Sequence, residues 1–183
     1  MKGRIIMING VSSSGKTTLA KKLQNSLETP FYLIQKDDFT KIIPYLSGDF
    51  ADYAKMVQPI LFYAIKEISD NGRDVIVDTL FQERLEFSGM LKECVSLLKE
   101  YPILFVKTIC PLDELQRREK NRDDSSIGKA ETQLKYLVPQ DGYDLVVDTH
   151  NDSIVHNVDL IKAKLSQISE CTAFKELTTY FAV

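Results

Sequence analysis

Five short apolar runs punctuate the chain, at 4–8, 31–34, 74–77, 103–109 and 144–147. Each is too brief for a helix and the set is rich in β-branched residues, so the runs read as buried strands, with 31–34 the weaker signal. Their apolarity is continuous rather than alternating, the pattern of a parallel sheet covered on both faces. Between them the hydrophobic period lengthens. Ala54, Val57, Leu61, Ala64 and Ile68 step by three or four residues, as do Ile154, Val158, Ile161, Leu165 and Ile168. Each set lays an apolar stripe along a predicted helix. The first stops at Asp70-Asn71-Gly72, a helix-end signal with Gly beyond the last turn. A third helix carries Phe87, Met90, Leu91, Cys94, Leu97 and Leu98 and ends before Pro102. In the tail at 170–183, Phe174, Leu177, Tyr180 and Phe181 fall at helical spacing, which predicts packing on the domain or on a subunit partner. Strands alternating with helices predict an α/β, doubly wound fold whose ligands sit at the carboxyl ends of the strands. No repeat, low-complexity tract or Pro/Gly/Ser-rich linker interrupts the series, so residues 1–183 are expected to form one domain.

Composition narrows the function classes. With 44% hydrophobic and 27% charged residues the chain resembles soluble globular proteins. Twenty-three basic and 26 acidic residues give a net charge of -3, and neither sign forms a block. An electrostatic nucleic-acid binder and a polybasic membrane surface are therefore disfavoured, and a small-molecule partner is expected. No stretch approaches the ~18 apolar residues of a spanning helix. Cys94, Cys110 and Cys171 are odd in number and far apart, with no Cys-x-x-Cys pair or histidine cluster beside them. That spacing argues against a disulfide framework and a zinc site, and for a reducing, cytoplasmic home.

The strongest chemical signal directly follows the first strand. Gly10-Val11-Ser12-Ser13-Ser14-Gly15-Lys16-Thr17 has the Gly, four residues, Gly, Lys, Ser/Thr spacing, and Thr18, Leu19, Ala20 and Leu23 continue it into an amphipathic helix. Glycines let consecutive N–H groups turn toward phosphate oxygens, and the helix N-terminus adds its partial positive charge. Lys16 is expected on the β/γ-phosphates and Thr17 on Mg²⁺. Val75-Ile76-Val77-Asp78 is an apolar strand ending in a carboxylate. Such an Asp reaches the metal through bound water, although a turn or cap role is the commoner use of the residue. No Asn-Lys-x-Asp guanine reader occurs, which favours ATP.

The second strand runs into Lys36-Asp37-Asp38-Phe39. A carboxylate here can take the proton of an acceptor hydroxyl, and the reading assigns Asp37 as base and Asp38 as helix cap. Residues 111–138 form a charged segment in which Arg118 and Arg122 lie one helical turn apart, followed by Gly128. It reads as a closing lid whose guanidiniums contact the transferring phosphoryl group, or else as a solvated helix with Arg–Glu pairs. His150 follows the last strand where a purine could stack, but lone loop histidines such as His150 and His156 are ordinarily without such a role.

With these residues the chain resembles the P-loop kinases of the chloramphenicol phosphotransferase-like family. The resemblance runs through Ile8-Asn9-Gly10 to Lys16-Thr17, Asp37 with Pro44, Ile76-Val77-Asp78 with Phe81, Arg118-Glu119, Arg122, Asp124, Gly128 and Gln133, then Tyr143-Asp144 and Asp148-Thr149. It implies a three-layer α/β/α fold with a five-stranded parallel sheet of order 2-3-1-4-5 and a mobile arginine lid. It further implies ATP- and Mg²⁺-dependent phosphorylation of a small-molecule hydroxyl, with Asp37 at the position of the base. Ser125 and Thr79 stand where the antibiotic kinases tend to carry an Arg and a second acidic residue, and the acceptor-side segment 45–52 is short. The acceptor is thereby left open among an antibiotic, a sugar, a nucleoside and an RNA end, as is homo-oligomer formation. A non-catalytic ATP-binding regulator is the competing reading from another class.

Overall fold

A computed structural model describes residues 1–42, 50–84, 87–121 and 127–183, with the backbone alone for 50–55. Pro44, Arg122, Asp124, Ser125 and most of the 45–52 segment lie outside the described residues. Strands β1 (Ile5–Asn9), β2 (Phe31–Gln35), β3 (Asp74–Thr79), β4 (Ile103–Ile109) and β5 (Leu145–Asp148) form one parallel sheet of order β2-β3-β1-β4-β5. The helices are α1 (Lys16–Gln24), α2 (Lys36–Thr40), α3 (Phe50–Asp70), α4 (Met90–Leu98), α5 (Leu112–Lys120), α6 (Lys129–Tyr136), α7 (Ile154–Leu165) and α8 (Ala173–Phe181). This is the expected P-loop kinase arrangement, including the run at 31–34 that the pattern marked only faintly.

Side-chain alternation divides the core in two. Ile5 and Met7 of β1 join Val75, Val77 and Phe105 on one face, packed against Leu61, Phe62 and Ile65 of α3, Leu91 and Cys94 of α4, and Phe174 and Leu177 of α8. Ile6 and Ile8 point the other way, with Ile76, Leu104 and Val106, onto Leu19 and Leu23 of α1 and Val158, Ile161 and Leu165 of α7. Both faces of every central strand are thus buried, which is why these strands are apolar without interruption.

Element boundaries moved where a side chain intercepts the backbone. Asp144 lies outside β5 because its carboxylate accepts N–H bonds from Phe105 at 2.8 Å and from Thr172 and Ala173 at 2.9 and 3.0 Å. One residue thereby ties β4 to the first turn of α8. The tail packs on the sheet, Phe174 meeting Phe105 edge-on at 5.5 Å, while Tyr180 stays 80% exposed. The periodic segment ending at Ile168 divides, α7 closing at Leu165 and Ile168 opening a short 3-10 turn.

Register brings the chemistry to one edge. Gln35 of β2 pairs with Asp78 of β3, and Asp78 with Ile8 of β1. The residues just past the strand ends, Lys36-Asp37 after β2 and Gly10 after β1, consequently leave the sheet close to the level of Asp78.

Candidate active site

The loop between β1 and α1 is held in shape from several sides. A Cβ on Gly10 would lie 2.1 Å from Thr108 Oγ1, so only glycine lets the loop approach β4 this closely. Gly15 takes φ +83° and Ser13 φ +60°, the left-handed conformations that turn the chain back toward its own N–H groups. Ser14 Oγ shares a hydrogen bond with Thr108 Oγ1 at 2.9 Å, and Thr149 Oγ1 donates to the Ser14 carbonyl at 2.7 Å. Helix α1 begins with neither a side-chain cap nor an acidic residue in its first turn. Its positive end faces the cleft and suits an anion. Lys16 Nζ donates to the Val11 carbonyl at 2.7 Å, folded over the loop.

Beside this cradle, Thr17 Oγ1 donates to Asp78 Oδ2 at 2.5 Å. Asp78 is 7% exposed, and burial pushes its carboxyl above the ordinary value against the opposing pull of Lys16 and the Thr17 hydrogen bond. A buried carboxylate next to a hydroxyl is a fitting oxygen donor pair for Mg²⁺. Among the described residues no group of three His, Cys, Asp or Glu side chains converges to hold a metal. A cation at Thr17 and Asp78 would therefore draw its remaining ligands from phosphate and water, as Mg²⁺ ordinarily does.

Asp37 sits exposed in α2 and lines the same cleft of about 1250 Å³ as Lys16, Thr17, Thr18 and Asp78. Asp38 does not cap the helix as expected. Gln35 occupies the capping position without a side-chain cap bond, and Asp38 instead accepts from Gln35 Nε2 at 2.7 Å and Lys41 Nζ at 2.6 Å. Preceding them, Lys36 was given no role by the sequence. Its Nζ reaches the Leu80 carbonyl at 3.2 Å and lies 5.0 Å from the Phe87 ring centroid. Burial lowers its pKa to about 8, with Lys16 and Lys129 adding to the depression and Asp37 opposing it.

The segment at 111–138 contains α5 and α6, tied together by Glu119. This carboxylate is 1% exposed and accepts from the Gly128 N–H at 2.9 Å and the Ala130 N–H at 2.6 Å. Gln133 of α6 in turn accepts from the Ser12 N–H at 2.6 Å, so α6 touches the phosphate loop directly. Arg118 points back to the loop as well. Nε donates to Glu114 at 2.7 Å, Nη1 to the Ser13 carbonyl at 3.3 Å and Nη2 to the Thr149 carbonyl at 2.9 Å. Both the Arg–Glu pairing and the approach to the phosphate loop are therefore present in one side chain, whereas Arg122 lies outside the described residues. His150 donates its N–H to Asp148 at 2.8 Å, and neither histidine lines the cleft.

Asn9, at the end of β1, was also without an assigned role. Its Nδ2 donates to the Val138 carbonyl at 2.9 Å and Tyr143 Oη at 2.7 Å, and its Oδ1 accepts from the Phe81 N–H at 3.0 Å. Its signals in the sequence are an Asn ending an otherwise apolar strand and its place in the Ile8-Asn9-Gly10 stretch.

Comparison with known proteins agrees with this geometry. The chain is 29% identical over 133 residues, 66% of its length and 68% of the relative's, to the Metallosphaera sedula protein named "Probable thymidylate kinase". Its fold is similar to that of the Deinococcus radiodurans tunicamycin resistance protein, with TM-score 0.66 at 20% identity, covering 90% of this chain and 96% of the other. It is also similar to the Mycobacterium tuberculosis APS kinase solved with AMPPNP and APS, with TM-score 0.65 at 16% identity, covering 91% and 98%. Residues 3–166 match the family described as chloramphenicol phosphotransferase-like protein, and this chain, a kinase-like P-loop protein, belongs to that family.

Proposed function

We propose that the protein is a Mg²⁺- and ATP-dependent phosphotransferase acting on a hydroxyl of a small molecule. The observation that carries this reading is a carboxylate, Asp37, lining the same cleft as Lys16, Thr17 and Asp78. A nucleotide-binding regulator needs the loop and the metal donors but no base on the acceptor side. Bound Mg²⁺·ATP supplies the γ-phosphoryl group. The N–H groups of the loop from Gly10 to Thr18 would hold phosphate oxygens, and Lys16, which donates to the Val11 carbonyl, would hold the β/γ-phosphates. Thr17 and Asp78 would hold the metal. Asp37 would take the proton of the acceptor hydroxyl as its oxygen bonds to the γ-phosphorus and the bond from that phosphorus to the β,γ-bridging oxygen breaks, ADP leaving. Arg118 places positive charge beside Gly15, where a Cβ would lie 3.6 Å from its Nη1, and the sequence reading gives Arg122, outside the described residues, the same task.

A nucleoside or nucleotide acceptor is the second reading, favoured by the 29% identity to the protein named as a thymidylate kinase. The three cysteines are unpaired and no helix among the described residues is long and apolar enough to cross a membrane, which supports a cytoplasmic enzyme. The test is ADP release from Mg²⁺·ATP across a panel of hydroxylated antibiotics, sugars, nucleosides and RNA 5′ ends, with Lys16→Ala as the blank. An acceptor that raises ADP release in the wild type and not in the variant is the expected result. ATP binding without stimulation by any acceptor class favours the regulator.

A further inference from the structure

The wall of the cleft beyond Asp37 is built from α2 and the segment after β3. Lys36 touches this segment at both ends, through the Leu80 carbonyl and the Phe87 ring, and so brackets Gln82 and Arg84, which line the same cleft. Lys36 and Arg84 contribute cations, and Lys129 faces them from the first turn of α6. Asp37 opposes them, but the neighbouring Glu83 carboxylate is engaged by Ser88 Oγ at 2.7 Å and the Gly89 N–H at 3.2 Å. Lys36 forms no ion pair among the described residues, and its ammonium is half-buried against an aromatic ring. Holding a cation in that position is costly, Asp37 offsets only part of the cost, and an anionic ligand relieves the rest. The lowered pKa of Lys36 records the same strain, with Lys16 and Lys129 both adding to it.

A second observation comes from Gln82. It is 6% exposed, lines the cleft, and its Oε1 has no hydrogen-bond partner. Buried polar atoms in folded proteins are nearly always satisfied, so this oxygen calls for an N–H or O–H brought by a ligand. Phosphates on the loop do not answer it, because they bring only acceptors.

We infer that the acceptor carries an anionic group, a phosphate or a carboxylate, which Lys36 and Arg84 bind beside Asp37 while Gln82 accepts a hydrogen bond from the same molecule. The inference rests on the phosphotransferase reading above and specifies its acceptor. Lysine offers a point charge and arginine a planar fork, a pair suited to an oxyanion whose position must be set relative to a nearby hydroxyl.

The experiment saturates the protein with Mg²⁺·AMPPNP, so that Lys16 and the loop are already engaged, and then titrates inorganic phosphate by calorimetry at fixed ionic strength. The expected result is one phosphate site per chain, weakened at least tenfold by Lys36→Gln, weakened also by Arg84→Gln, and largely retained in Lys36→Arg. Absence of phosphate binding to the nucleotide-loaded protein, or binding that Lys36→Gln leaves unchanged, overturns the inference and leaves the phosphotransferase reading standing. Failure of Mg²⁺·AMPPNP to bind in the first stage overturns the nucleotide reading itself, and this inference with it.

Discussion

Thr17 Oγ1 and Asp78 Oδ2 meet at 2.5 Å, joining the first turn of α1 to the end of β3. The parallel pairing of β1 with β3 sets Asp78 beside Ile8, two residues before the loop begins, which is what brings the two side chains together. Replacing the carboxylate with an amide keeps the shape and removes the charge. Asp78→Asn is expected to weaken Mg²⁺·ATP binding by about 10–100-fold, the usual loss for a disturbed metal environment, with a much smaller effect on metal-free ATP. Calorimetry with Mg²⁺ and with EDTA separates the two.

Glu119 carries a structural prediction. Its carboxylate satisfies the Gly128 and Ala130 N–H groups at the start of α6, and Glu119→Ala leaves both without that partner. The Ala130 donor is buried, and leaving it unsatisfied costs about 1–3 kcal/mol, while the half-buried Gly128 N–H adds less. For a chain of this length a loss of 1 kcal/mol lowers Tm by roughly 2–4 °C, so a drop of several degrees is expected in thermal melts. Glu119→Gln retains acceptor capacity and is expected to fall between the wild type and Glu119→Ala.

Glu114 sets a pH dependence. Hydrogen bonds from Arg117 and then Arg118 hold its carboxyl at about 2, below the ordinary 4.5. The native state binds this proton less tightly than the unfolded chain. The pairing therefore stabilises the fold above about pH 4.5, and its contribution fades as pH falls toward 2. Glu114→Gln is expected to melt below the wild type at pH 7, with the gap closing as the buffer is taken from pH 5 toward pH 2. A gap independent of pH places the effect in packing rather than charge.

Local signals made the phosphate loop legible, since the Gly10–Gly15 spacing, the strand before it and the helix after it are contiguous in sequence. The central strands were legible because burial on both faces demands unbroken apolarity. The 2-3-1-4-5 order was available through family resemblance alone, and that order makes β2 the neighbour of β3. Lys36 and Gln82 went unnoticed for that reason, because their shared wall exists only once Gln35 pairs with Asp78. Asp38 was misassigned because a carboxylate early in a short helix looks like a cap, while the competing Lys41 lies one turn along. The partners of Arg118, Ser13 and Thr149, are far from it in sequence, and periodicity carries no trace of such contacts.

The central claim is that the cleft transfers a phosphoryl group rather than merely binding nucleotide, and Asp37→Asn tests it most directly. Turnover with the acceptor and Kd for Mg²⁺·ATP are measured on the same protein. The account predicts a fall in kcat of about 10²–10⁴-fold, the range for loss of a general base, with Kd for Mg²⁺·ATP within about twofold of the wild type. Turnover equal to the wild type would contradict the account, because no step would then depend on the carboxylate that distinguishes this cleft from a nucleotide switch.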